Sequence, residues 1–258
     1  MHIETLGRGP SIALIHGWAM HGGLFAPLVE RLRERWTLHV VDLPGHGHAR
    51  DSDRPLEPAL LSRELVDAVP DAVWLGWSLG GQFALRAALD APARVRGLVM
   101  VASSPRFVQD ADWPYGVRPS LFRDFGEALS KDFRGTLEGF LALEALGSAS
   151  AQAELRDLRA QAFARGEPSP VALLRGLELL DTVDLRGELQ NLQVPSLWIS
   201  GRRDRLVPAG AMPAAAERAP GAESRVIQDA GHAPFLGAAD AVAEAVDAFA
   251  RRAHGAAP

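Results

Sequence analysis

A chain of 258 residues, 47% hydrophobic and 23% charged, is long enough to bury one sizeable core and has globular composition. Its formal net charge of −5 offers no global basic field to nucleic acid or an anionic membrane, and no apolar run approaches a membrane span. It has no cysteine, which excludes disulfides, Cys-ligated metals and a cysteine nucleophile.

Residues 1–10 carry an acid and turn residues where a secretory signal would need a basic region and an apolar core, so a cytoplasmic protein is expected. Residues 11–16 read as a buried strand. The loop His16-Gly17-Trp18-Ala19-Met20 follows, with His16 expected to be structural and Gly17 to make the turn. Residues 25–35 read as a helix with Phe25, Leu28, Val29 and Leu32 on one face. Residues 37–42 are a second strand. Pro44-Gly45-His46-Gly47-His48 reads as a solvated turn, since its histidines lack a third metal ligand nearby.

Residues 73–76 are a third strand and 97–101 a fourth. From 107 to 186 no strand pattern occurs. Residues 121–146 instead place Phe122, Phe125, Leu129, Phe133, Leu137, Phe140 and Leu141 at three- and four-residue steps, and 151–164 and 171–180 continue as helices. Arg156 and Arg159 share a helix face, free for an acidic partner or balanced by Glu154 and Asp157. Strands at 196–201 and 224–227 and a helix at 240–251 close the chain.

Short, nearly continuous apolar strands alternating with helices imply an α/β fold: a mostly parallel central sheet with helices on both faces. Residues 1–106 and 187–258 form that core, and 107–186 read as a helical lid inserted over the sheet's active edge. Ligands in such sheets bind beyond the carboxyl ends of the strands.

The pentapeptide Gly76-Trp77-Ser78-Leu79-Gly80 lies between a predicted strand and a predicted helix. A sharp strand-to-helix turn there pushes the Ser78 hydroxyl out over the sheet edge, so Ser78 is the candidate nucleophile. A serine needs a base, and the base needs an orienting acid; in these sheets the order is serine, acid, histidine. His232, in Ala230-Gly231-His232-Ala233-Pro234-Phe235, is the candidate base. Asp204, just after the penultimate strand, is the candidate acid. Asp229 competes for that role, but its position so near His232 favours a solvated loop carboxylate. The oxyanion needs two donors, expected to be the backbone amides of Leu79 and Trp18. Nothing forms a phosphate loop or dinucleotide fingerprint, so no cofactor or metal is expected.

The chain resembles the α/β-hydrolase superfamily and, more narrowly, the family of pimeloyl-[acyl-carrier protein] methyl ester esterases of biotin synthesis. The likeness rests on Leu14-Ile15-His16-Gly17-Trp18, Trp74-Leu75-Gly76-Trp77-Ser78-Leu79-Gly80-Gly81, Val101-Ala102-Ser103-Ser104-Pro105, Phe140-Leu141-Ala142-Leu143, the run from Gly176 to Arg186, and the His232 segment. The resemblance implies an α/β-hydrolase fold and hydrolysis of a methyl ester carried on acyl carrier protein, by a monomer acting without nucleic acid or membrane. It also implies substrate contacts from Trp18, Ser78, Leu79, Phe140, Leu141, Ala142, Leu143, Glu144 and His232. Glu144 stands where the family motif has glutamine. A broad esterase acting on small soluble esters is the alternative. The arginines that meet the carrier in this family are only partly matched; Arg156 and Arg159 remain, with Arg118, Arg123 and Arg134 as further candidates.

Overall fold

The computed structural model describes residues 1–255. Its strands are β1 (His2–Gly7), β2 (Ser11–Ile15), β3 (Thr37–Asp42), β4 (Ala72–Trp77), β5 (Val95–Val101), β6 (Ser196–Gly201) and β7 (Glu223–Ile227). They form one seven-stranded sheet in the order β1-β3-β2-β4-β5-β6-β7. β1 runs antiparallel to β3, and all other pairings are parallel. β4 is central and buried along its whole length, which its composition of Ala, Val, Leu, Gly and two tryptophans suits. β1 is an edge strand with mixed exposure, an element beyond those expected from the sequence.

The helices are α1 (Ala26–Leu32), α2 (Pro58–Ala68), α3 (Leu79–Asp90), α4 (Leu121–Lys131), α5 (Phe133–Ala145), α6 (Ala151–Ala162), α7 (Pro170–Thr182), α8 (Ala211–Ala216), α9 (Pro234–Gly237) and α10 (Ala239–Ala253). Two pairs, α1 with α10 and α2 with α3, pack around the sheet. Val242, Val246 and Phe249 supply the buried stripe of α10. None of the described helices is long and apolar enough to cross a membrane.

Helices α4 to α7 follow β5 and precede β6, as the lack of strand patterning there implies. The stretch 121–146 is two helices and not one. Asp132 divides it: its side chain accepts the Gly135 amide at 2.9 Å and caps α5, leaving α4 to end at Lys131. The break turns Phe140, Leu141 and Glu144 into the buried face of a separate helix.

Polar ties fasten this insertion to the sheet's edge. The Trp18 indole donates to the Leu173 carbonyl at 2.8 Å. His21 Nε2 donates to the Gln161 carbonyl at 2.7 Å, and the Ser169 amide donates to the Gly45 carbonyl at 2.7 Å. Arg165 reaches the fully buried Asp42 at 3.1 Å and Glu4 at 3.0 Å.

Because Asp132 starts the helix that carries Phe140 and Glu144, Asp132→Ala should cost about 1 kcal/mol. In a chain of this size that lowers Tm by about 2–4 °C. Calorimetry on the alanine and asparagine variants checks it: asparagine, itself a good cap, should melt close to the wild type.

Candidate active site

β4 delivers its chain to α3 through a turn with Ser78 at its tip. Ser78 has φ 52 and ψ −122, a conformation that L-residues rarely adopt. Close packing makes the turn possible. A Cβ on Gly76 would lie 2.4 Å from the Gly81 Cα, and one on Gly80 would lie 2.2 Å from the Ile15 carbonyl oxygen. Any larger residue would lift α3 off the strand ends. Two other non-glycine residues with positive φ, Ala19 (62) and Ala102 (43), follow β2 and β5, so backbone strain gathers at one sheet edge.

The side chains converge there. Ser78 Oγ lies 2.9 Å from His232 Nε2, and His232 Nδ1 lies 2.9 Å from Asp204 Oδ2. A carboxylate only accepts, so the proton belongs on Nδ1, leaving Nε2 to accept from the serine hydroxyl. Asp204 Oδ1 accepts the amides of Leu206 at 2.8 Å and Val207 at 2.9 Å, which fixes the carboxylate in its loop. Ser78, Asp204 and His232 are all buried. His232 is held from behind as well: the Trp77 indole donates to its carbonyl at 2.9 Å, and Trp77 packs edge-on against Phe235. Burial pushes the His232 pKa down, but the Asp204 charge and hydrogen bond outweigh it, with Glu144 adding to the rise, so the net shift is upward.

Two peptide planes are pinned beside the hydroxyl. The Gly17 carbonyl accepts from His16 Nδ1 at 2.7 Å, and the Ser78 carbonyl accepts from Ser103 Oγ at 2.7 Å and the Gly81 amide at 2.9 Å. In a trans peptide the C=O and the following N–H point opposite ways. Fixing those carbonyls therefore turns the Trp18 and Leu79 amides away from them. Neither amide has a protein acceptor among the described residues. His16 is structural, as expected: its Nε2 accepts the Leu43 amide at 3.0 Å, and burial together with nearby His46 lowers its pKa to about 3.

A turn closes on Gly17, as expected, its carbonyl accepting the Met20 amide at 3.3 Å, while the positive φ of that loop belongs to Ala19; a Cβ on Gly17 would sit 3.1 Å from the Ser78 Cβ. Other expectations change. The turn at 44–48 is not solvated throughout. His46 is fully buried with Nδ1 on the Pro44 carbonyl at 2.9 Å and a pKa lowered by burial to about 4, while His48 is exposed. Glu154 does not balance Arg156 and Arg159. It is buried, accepting from Ser148 and from Ser150 at 2.7 Å. Arg159 instead pairs with Glu138 at 2.7 Å, while Asp157 does lie against Arg156, at 3.8 Å. Asp229 stays on the surface against Arg203 at 3.0 Å. Among the described residues, no group of three or more His, Cys, Asp or Glu could hold a metal ion.

The insertion meets this site directly. The Phe140 ring stands edge-on to Trp18 with centroids 4.6 Å apart. A Cβ on Gly176 would lie 2.5 Å from the Trp18 ring. Glu144 is buried, and its carbonyl accepts the His232 amide at 3.3 Å. Leu141 is buried, whereas Ala142 and Leu143 are not. Trp77 and Ser103 are supporting residues that motif reasoning does not single out. Their contacts join segments far apart in the chain, so only the motif strings around them hint at a role.

A buried serine, histidine and aspartate in a hydrogen-bonded line, beside two unengaged amides, define a serine hydrolase site on a parallel α/β sheet. Residues 10–239 match the alpha/beta hydrolase fold family, and the chain belongs to it. The chain is 58% identical over 96% of its length to the pimeloyl-[acyl-carrier protein] methyl ester esterase of Xanthomonas oryzae pv. oryzae, covering 98% of that protein. The like-named protein of Stenotrophomonas maltophilia is 57% identical, with 96% of each chain covered. Among solved structures, an esterase from Exiguobacterium antarcticum superposes with a TM-score of 0.86 at 23% identity, over 97% of this chain and 95% of that one. An enol-lactonase from Burkholderia xenovorans gives 0.83 at 22%, over 96% and 95%. At those identities the solved structures speak for the fold alone.

Trp77→Phe keeps an aromatic ring on Phe235 but removes the donor to the His232 carbonyl. A buried carbonyl left unpaired costs about 1–3 kcal/mol. The variant should remain folded, melt lower, and lose about tenfold in kcat as His232 drifts from Ser78. Circular dichroism with single-turnover kinetics separates the two effects.

Proposed function

We propose that the chain is a serine carboxylesterase that hydrolyses the methyl ester of a pimeloyl chain carried on acyl carrier protein, releasing methanol in biotin synthesis. The single observation that carries the chemistry is the 2.9 Å and 2.9 Å line from Ser78 through His232 to Asp204. The substrate class is supported by 58% identity, over nearly the whole chain, to esterases of that name.

Ser78 Oγ attacks the ester carbonyl carbon while His232 Nε2 takes its proton. The Trp18 and Leu79 amides receive the negative oxygen of the tetrahedral intermediate. His232 then protonates the departing methoxide, which leaves as methanol, and an acyl ester remains on Ser78. Water attacks that ester with His232 again as base, and the free carboxylate departs. Asp204 holds the Nδ1 tautomer and stabilises the imidazolium throughout.

Ser78 is 4% exposed and His232 1% exposed, which supports an insertion that moves to admit substrate. In this reading 107–186 act as the lid, and Trp18 and Phe140 grip the acyl chain once it closes. The enzyme works in the cytoplasm, as a monomer, on a protein-borne substrate. Arg156, at 76% side-chain exposure, and Arg159, at 51%, form the cationic face of α6 toward the carrier.

The decisive measurement is methanol release from the carrier-bound methyl ester against hydrolysis of short nitrophenyl esters. A marked preference for the former is expected, and equal efficiency would replace this reading with a broad esterase. Ser78→Ala should abolish both activities and labelling by a fluorophosphonate. Asp204→Asn should lower kcat by on the order of 10⁴-fold at neutral pH. Because the base works only when neutral and its pKa is raised above 6.5, activity should fall as pH drops through a value above 6.5.

Reversing Arg156 and Arg159 to Glu should raise KM for the carrier-bound ester at low salt and leave a nitrophenyl ester unaffected. A double reversal that changes neither substrate removes these arginines from the docking face.

A further inference from the structure

The loop after β6 reads Arg202-Arg203-Asp204-Arg205, so arginines flank Asp204 on both sides in a chain whose net charge is −5. The three arginines are exposed, while Asp204 between them is buried. Of the three, only Arg203 has an ion pair among the described residues, with Asp229 at 3.0 Å. Arg202 and Arg205 have none. Many other surface arginines do have an acidic partner, as Arg252 has Glu223 and Arg94 has Asp71.

This loop lies beside the reacting centre. The Arg203 amide donates to the Ala230 carbonyl at 3.0 Å, two residues before His232. The turn between α5 and α6 closes on the same place. A Cβ on Gly147 would lie 2.5 Å from the Arg203 carbonyl oxygen, and the Ala149 amide donates to the Asp229 carbonyl at 3.1 Å. Leu146, next to Gly147, is 52% exposed. Helix α6, which bears Arg156 and Arg159, starts just beyond that turn, at Ala151.

Exposed charges without partners contribute little to stability. At the rim of a site they attract an anionic partner and speed its arrival. An apolar side chain among charged ones is the makeup of a protein contact, with an apolar centre and a polar rim. A small anion is held instead by a desolvated fork of donors, and these arginines stand open to water.

We propose that Arg202, Arg203 and Arg205 form a docking surface for the acidic face of the protein that carries the ester, placed on the Asp204 and His232 side of the site. The proposal rests on the carrier-bound reading above. It extends the cationic face of α6 across the α5–α6 turn onto the sheet domain, so the carrier touches both the insertion and the core.

The test reverses Arg202 and Arg205 to Glu together. Arg63→Glu serves as the control, being an exposed arginine on α2. Kinetics are measured on the carrier-bound methyl ester, a neutral soluble methyl ester and a soluble methyl ester bearing a carboxylate. The double reversal should raise KM for the carrier-bound ester about tenfold at about 0.01 M salt, with kcat unchanged. The rise should vanish near about 1 M salt, where charges are screened within about 3 Å. Arg63→Glu and both soluble esters should show no such rise. An unchanged KM for the carrier-bound ester at low salt overturns the proposal. So does an equal rise for the carboxylate ester, which would mark a small-anion site, or an equal loss on the neutral ester, which would mark an effect on Asp204. If the double reversal does not fold, Arg202→Gln with Arg205→Gln decides by the same comparison, with about a threefold rise expected. A wild type without preference for the carrier-bound ester overturns the carrier reading and this surface with it. A wild type that prefers it, with a silent reversal, overturns this surface alone.

Discussion

The site depends on one strained residue held in place by packing. Ser78 occupies φ 52, a backbone conformation that costs of order 1–3 kcal/mol for a residue other than glycine. Nothing local repays that cost. The contacts that do are the close approach of α3 to the ends of β2 and β4, possible only because Gly76 and Gly80 lack side chains, and the Ser103 hydroxyl on the Ser78 carbonyl. Seen this way, the glycines of the pentapeptide are packing residues and the serine itself carries the strain. The same carbonyl that Ser103 grips is the back of the peptide plane whose front is the Leu79 amide. Holding Ser78 and aiming the Leu79 amide are therefore one structural act.

The Trp18 amide is set by a similar device built from different residues. His16 is buried and neutral, with a donor on one nitrogen and an acceptor on the other, and it bridges the Gly17 carbonyl to the Leu43 amide. That ties the loop after β2 to the end of β3. The end of β3 is in turn tied to the insertion through Asp42 and Arg165. Burial pushes Asp42 toward its neutral form; the amides of His48 and Gly22, and Arg165, outweigh it, so its pKa is lowered. A buried pair of this kind adds little net stability, because desolvation offsets attraction. Its value is in position: breaking it would leave a buried charge unpaired, so the insertion is held to one register over the sheet's edge.

Much of this was legible in the sequence, for definite reasons. Central strands are nearly all apolar and end at glycine or a turn, so the strands at 37–42 and 196–201 could be read with their observed bounds. The positions of Ser78, Asp204 and His232 follow from where chemistry must sit on such a sheet. β1 was not legible, because an edge strand of six half-exposed residues has no continuous apolar signal. α2 starts from Glu57, which caps through its carboxylate in place of the usual short side chain. His46 looks solvated in Pro44-Gly45-His46-Gly47-His48, yet α7 covers the loop, with Ala172 where a Cβ on Gly45 would lie. Ala19 and Ala102 carry positive φ with no glycine or asparagine to announce it. The buried His46 depends on contacts between distant segments, to which periodicity is blind.

Two buried carboxyls, Asp204 and Glu144, show how like groups meet unlike surroundings. Asp204 receives donors only: the Leu206 and Val207 amides on one oxygen and the His232 ring on the other. Its surroundings call for an acceptor, and it serves as one. Glu144, equally removed from water, receives no donor among the described residues, and burial raises its pKa to about 8. The difference is set by backbone geometry and not by residue type. The loop after β6 turns two amides inward at Asp204, whereas α5 presents Glu144 from a helix whose amides are spent on its own carbonyls. Environment thus decides whether a buried acid is held as a charge or driven toward its neutral form.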